Sequence, residues 1–181
     1  EIGVRLVGSE MCIRDSDNIL LLAAGGIMDG RGVAAALTLG ADGAVMGTRF
    51  LGAQEALLDP EVRNEVFSAD DGGVSTARSR IWDEVWGHNS WPHTFDGRCL
   101  KNAMWTNSAG GLDGDSARSA LYEDLRKADS GDVGVKDVST IWAGTGVGLV
   151  KRLESAAFIV DQVREEAINK LHYACAVHIE T

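Results

Sequence analysis

Positive charge, proline and cysteine are all scarce in this chain. Of its 181 residues, 17 are Lys or Arg against 27 Asp or Glu, a formal net charge of −10. A nucleic-acid or anionic-membrane surface needs a basic patch, so neither partner is expected. No apolar run approaches the ~18 residues of a membrane span. The 3 cysteines, Cys12, Cys99 and Cys175, show neither metal-ligand spacing nor a disulfide framework. They fit free thiols in a reducing, cytoplasmic compartment. The 4 histidines add little. His88 and His93 flank Trp91-Pro92 without the further ligands a metal requires, and His172 and His178 lie near the C-terminus. No metal is expected.

Glycine, by contrast, is plentiful at 22 residues, and hydrophobic residues make up 45%, ordinary for a globular protein. Residues 23–50 read AAGGIMDGRGVAAALTLGADGAVMGTRF. The short apolar run Ile19–Ala24, bounded by Gly25-Gly26, predicts a strand. Asp29 is placed as the N-cap of a helix over Val33–Leu39, and Gly40 as its C′ residue. Ala44–Met46 predicts a second buried strand. A strand–helix–strand unit this short implies parallel strands joined by a right-handed crossover. Its two βα turns end in bare main chain at Gly25-Gly26 and at Gly47, followed by the Thr48 hydroxyl. Such turns suit a phosphate, because a Cβ at any of these glycines would hold the ligand away from the backbone N–H groups. Tight turns with no ligand are the alternative.

The stretch AAGGIMDGRGVAAALTLGADGAVMGTRFL resembles the nitronate monooxygenase, or 2-nitropropane dioxygenase-like, family. FDGRCLKN at 95–102 and WAGTGVGLV at 142–150 resemble two further segments of that family. The resemblance covers most of Asp17–Leu171. It implies an α/β fold, the C-terminal portion of a TIM (β/α)₈ barrel. On that reading residues 23–50 hold its last two βα units, residues 75–140 form a cap-like insertion, and a long helix ends the domain. FMN is the implied cofactor, with its phosphate held by Gly25, Gly26, Val45, Met46, Gly47 and Thr48. Val45 stands where the family often has Gln, which leaves only the main chain to serve there. The implied reaction is oxidation of an alkyl nitronate, with O₂ as the second substrate. An FMN-dependent enoyl-acyl-carrier-protein reductase of the same fold, and a half barrel that merely binds a phosphate, are the alternatives.

A complete barrel takes about 250 residues. The family's catalytic His sits in a Gly-His-Arg-Gly type segment that this sequence does not contain, so the catalytic residue is unassigned and the span is expected to be inactive alone. Residues 1–16 are read as foreign: EMCIRDS at 10–16 can be spelled by a transposon-end sequencing adapter. Residues 172–181 are a tail of unassigned structure.

Further along, the pattern predicts a helix beginning at Arg49 and a second at Glu61–Ser68, opened by Pro60. An extended stretch is expected over Ser75–Val85, a loop over Ser108–Asp115 and a helix over Ala117–Ala128 capped by Ser116. The final helix is expected over Val150–Leu171, with Leu153, Ala156, Ala157, Val160, Val163, Ala167 and Leu171 on one face. Arg49 is read as a salt-bridge partner, with a phosphate contact as the alternative. Asp29 and Arg31 are read as a cap and a surface pair. Trp82 and Trp86 are expected to pack a small subdomain, the alternative being a ring-stacking pocket. Gly144, Gly146 and Gly148 either close over a cofactor or form a turn. The oligomeric state is not readable.

Overall fold

The computed structural model describes residues 20–87, 91–92, 94–109 and 114–177. Residues 1–16, expected to be foreign, and His88, His93 and His178 fall outside that range. The elements run in the order β1 (Leu22–Ala24), α1 (Gly30–Thr38), β2 (Gly43–Val45), a 3₁₀ turn (Thr48–Gly52), α2 (Pro60–Ser68), α3 (Gly72–Ser75), β3 (Thr76–Ser79), α4 (Ile81–Glu84), β4 (Gly97–Leu100), α5 (Ala103–Ala109), α6 (Gly114–Ser130), α7 (Val135–Val138), a second 3₁₀ turn (Thr145–Leu149) and α8 (Ala156–Val177). They divide into two compact units. One comprises the chain up to Gly47 and from Ser155 onward; the other is Thr48–Glu154. Among the described residues no helix is long and apolar enough to cross a membrane.

In the first unit β1 and β2 pair in parallel, Leu22 opposite Gly43 and Ala24 opposite Val45. The α1 crossover joins them. Its start follows the sequence: the Asp29 carboxylate accepts from Gly32 N at 3.0 Å. Its end does too, since Gly40 takes φ +98°, a conformation that costs a Cβ-bearing residue more. The helix begins at Gly30, earlier than expected, because a remote carboxylate also supports its first turn: Glu166 of α8 accepts from Gly30 N at 2.9 Å. At Gly30 the helices α1 and α8 touch backbone to backbone. A Cβ there would stand 2.4 Å from Ala167 N and 2.5 Å from Val163 O.

Three expectations are corrected here. The strands are not buried: Leu22 is 59% exposed and Val45 48%. A parallel sheet is buried when layers cover both its faces, and two strands beside two helices do not supply them. Helix α8 starts at Ala156 and not Val150, because Ser155 caps it: its Oγ accepts from Phe158 N at 3.2 Å and its carbonyl from Ile159 N at 3.0 Å. Its buried stripe is Ile159, Val163 and Ala167, while Leu153 and Val160 face water. That side of α8 is the one on which Gly30 docks, against Val163 and Ala167. The helix continues into the tail as far as Val177.

In the second unit β3 and β4 are antiparallel, Thr76 opposite Leu100 and Ser79 opposite Gly97. The main chain at 141–143 adds to the free edge of β4 through Leu100 N–Ile141 O (2.9 Å) and Ala143 N–Arg98 O (3.1 Å). The core joins Ile81, Trp82, Val85, Cys99, Met104, Ala117, Leu121 and Val138. Trp82 is fully buried, stacks on Trp105 at 6.2 Å and donates Nε1–H to Ala77 O at 3.2 Å. It packs a subdomain, as expected, while Trp86 is half-exposed and bonds Thr140. Burial, with the nearby Asp83 charge, pushes the Cys99 thiol far up, so it stays protonated and inert.

The extended run predicted over Ser75–Val85 stops at Ser79. Its hydroxyl accepts from Ile81 N at 3.1 Å and turns the chain into α4, which sends Trp82 and Val85 inward. The helix predicted from Arg49 is only a 3₁₀ turn. The chain beyond it pairs with Glu154 instead, through Gln54 N–Glu154 O (2.8 Å) and Glu154 N–Gly52 O (3.0 Å). Helix α2 begins at Pro60 under the Asp59 cap. Lys151 covers its far end, donating to Ala69 O at 2.9 Å and to Asp70 at 2.6 Å, and this pairing draws the Asp70 carboxyl below its ordinary range. Helix α6 runs over Gly114–Ser130, beyond its predicted bounds at both ends, and α5 occupies part of the expected loop.

Gly30→Ala tests the contact between α1 and α8. It should lower stability to chemical denaturation by about 1–3 kcal/mol, the usual cost of overpacking. An unchanged midpoint would mean that the helices separate freely.

Candidate cofactor-phosphate site

Five of the six expected site residues lie at one end of the β1–β2 pair. The register advances in step, Leu22 with Gly43 and Ala24 with Val45. Gly25-Gly26 follow directly on Ala24, and Met46-Gly47 directly on Val45. Both turns therefore leave from the carboxyl ends of adjacent parallel strands, where the main chains are about 4.8 Å apart. Gly25 and Gly26 have φ of +90° and +73°, which fixes both as glycine on backbone grounds. Gly47 lacks a positive φ, so its backbone alone does not demand glycine.

A Cβ built at Gly25, Gly26 or Gly47 meets nothing within 4 Å. The N–H groups of Gly26 and Gly47 make no turn or loop hydrogen bond among the described residues. The result is a cradle of unused donors with open space before it, which fits a phosphate oxygen. The N-terminus of α1 contributes less than its position suggests. Its Gly30 and Gly32 N–H groups are already taken by Glu166 and Asp29, so the turns and not the helix end supply the donors.

Thr48, the sixth residue, opens the second unit. Its Oγ accepts from Gly144 N at 2.9 Å, which leaves the hydroxyl hydrogen to donate elsewhere. This bond ties Thr48 to WAGTGVGLV within the second unit. That segment is a packed turn: a Cβ at Gly148 would stand 2.0 Å from Asp70 O, and one at Gly72 only 2.1 Å from Thr145 O.

Arg49 is buried, and its Nη2 lies 2.6 Å from Glu154 Oε2, so the salt-bridge reading holds over the phosphate contact. Asp29 and Arg31 pair at 2.7 Å. Burial alone would raise the Asp29 carboxyl, but the Arg31 guanidinium and the Gly32 N–H outweigh it and hold it below its usual 3.8. The FDGRCLKN segment is structural as well. Asn102 Nδ2 donates to Ser139 O at 2.8 Å and its Oδ1 accepts from Met104 N at 3.1 Å, capping α5. Local spacing carried no sign of Glu166, Glu154 or Gly144 as partners, because each acts across about a hundred residues of chain. Ser155 as a cap was open to reading from the small-residue run after it.

The sequence model of the family described as nitronate monooxygenase matches residues 5–166. The chain belongs to the nitronate monooxygenase family. It is 41% identical over 149 residues to the nitronate monooxygenase npaC of Metarhizium robertsii, covering 82% of this chain and 42% of that protein. It is 37% identical over 153 residues to a nitronate monooxygenase of Neurospora crassa, covering 84% and 39%. The chain thus spans less than half the length of these relatives. Among solved structures, FabK from Thermotoga maritima is similar with a TM-score of 0.66 at 26% identity, over 88% of this chain and 48% of that one. A nitroalkane oxidase from Streptomyces ansochromogenes has a TM-score of 0.63 at 24% identity, over 90% and 43%. The family and these neighbours carry a TIM-barrel-like α/β fold, and the family is one of flavin oxidoreductases.

Glu154→Ala should cost about 3 kcal/mol in urea unfolding, because it strands the Arg49 charge in a dry setting. A loss below about 0.5 kcal/mol, the scale of an ordinary surface change, would show that Arg49 finds water and is free for another role.

Proposed function

We propose that β1 and β2 are the last two strands of a (β/α)₈ barrel and that their turns hold the phosphate of FMN. The open cradle at Gly25, Gly26 and Gly47 carries this reading. The Gly26 and Gly47 N–H groups donate to the phosphate. The main chain at Gly25, Val45 and Met46 lines the approach, and the Thr48 hydroxyl adds a donor. Placing an anion at the carboxyl ends of parallel strands is the habit of this fold. Bound FMN would take electrons from an alkyl nitronate and pass them to O₂.

This chain's own residues bind and orient. The Gly26 donor, preset by the positive φ values of Gly25 and Gly26, loses little freedom when the phosphate arrives. Among the described residues no histidine lies at that strand end, His172 being exposed on α8. We assign this span the anchoring of the cofactor, and expect it to be inactive alone. Nitronate oxidation is preferred over enoyl reduction because the curated relatives at 41% and 37% identity are named nitronate monooxygenases.

Gly47→Ala separates ligand from fold. Its Cβ enters open space, so stability should change by less than about 0.5 kcal/mol. FMN affinity should fall by about tenfold or more, one good charge-assisted hydrogen bond, while the weak binding of riboflavin, which lacks the phosphate, stays unchanged. FMN binding unaffected by the methyl group, measured by flavin fluorescence titration, would refute the assignment.

A further inference from the structure

The second unit contains a cavity of about 370 Å³ that the cofactor reading does not use, lined by Trp91, Phe95, Trp142, Gly97, Asp83 and Asp96. Its three rings stay in contact with water: Trp91 is 62% exposed, Phe95 56% and Trp142 46%. Three large rings converging on one opening forgo burial, and such patches mark binding surfaces more often than leftovers.

The backbone builds this wall. Trp142 lies directly on Gly97, where a Cβ would come 1.9 Å from its Cζ3 and 2.7 Å from its Cη2. Only glycine admits the ring there. The strand-like pairing of 141–143 with β4 fixes Trp142 from the other side. Phe95 is set by a turn in which its N–H donates to Pro92 O at 2.9 Å, and its ring tilts against Trp91 at 6.2 Å and 37°.

The charge around the cavity is one-sided. Asp96 is engaged by Arg78, whose Nε lies 2.6 Å from Oδ1, so that pair is close to neutral. Among the described residues Asp83 on α4 makes no ion pair, and neither lysine nor arginine lines the cavity. Aromatic faces present negative potential, and the free carboxylate adds to it. An anion is repelled. A bare divalent metal needs more oxygen ligands than one free carboxylate supplies. The remaining match is a cation that carries its own apolar surface.

We propose that this pocket binds a small organic cation with an alkylated ammonium head. The methyl groups lie against Trp142, Trp91 and Phe95, and Asp83 balances the charge. The site is separate from the glycine turns and does not depend on the FMN reading.

The test is a titration of the 181-residue chain with choline and with its neutral isostere 3,3-dimethylbutan-1-ol, followed through the indole N–H resonances. Choline should shift the Trp91 and Trp142 signals saturably, with the alcohol at least about tenfold weaker. Asp83→Asn, which keeps the shape of α4, should abolish the difference between the two. Phe95→Leu, at an exposed ring, should weaken choline about fivefold without altering the fold. Equal binding of cation and alcohol, absence of a saturable shift, or a preference for choline that survives both substitutions would each overturn the proposal.

Discussion

The parallel pairing of Leu22–Ala24 with Gly43–Val45 is the constraint on which the candidate site depends. The connection between these strands is short, and the α1 crossover fills it. Because the strands are parallel and in register, both glycine turns leave from the same, carboxyl end of the pair. A slip of one residue would offset the two turns and turn every side chain over. The crossover helix guards that register. Asp29 holds its first turn from within, Glu166 holds it from α8, and Gly30 lets the two helices meet at backbone distance.

The second unit uses the same resource for a different end. Gly72, Gly97 and Gly148 are places where another chain segment occupies the position of a Cβ: Thr145, Trp142 and Asp70 respectively. Gly25, Gly26 and Gly47 face empty space. Gly87 and Gly131 also face open space, so room alone does not mark a binding turn; Gly25, Gly26 and Gly47 differ in lying just past the ends of two paired strands.

What the sequence revealed was local. The Asp29 cap, the Gly40 terminus, the parallel strand pair and the Pro60 start all follow from short-range backbone rules, and each is present. Family likeness rested on a contiguous stretch of glycines and small apolar residues, and the family match supports it. What escaped was set by partners distant in the chain. Glu154 stopped the predicted helix at Arg49 by pairing with the backbone at 52–54. The docking of Gly30 against Val163 and Ala167 sets the buried stripe of α8 on a side that leaves Val160 exposed. Strand burial was misjudged because hydrophobic content reports a preference for cover and not whether cover is there. Trp82 and Trp142 look alike in sequence, yet one is a stacked core residue and the other an exposed wall.

The central claim is that the Gly26 and Gly47 amides hold a phosphate. The most direct measurement is the amide spectrum of the isotopically labelled chain with FMN and, separately, with riboflavin. The account predicts that FMN moves the Gly26 and Gly47 N–H resonances downfield, as charge-assisted hydrogen bonds form, and that riboflavin leaves them in place. Identical shifts with both flavins, or shifts confined to other residues, would contradict it.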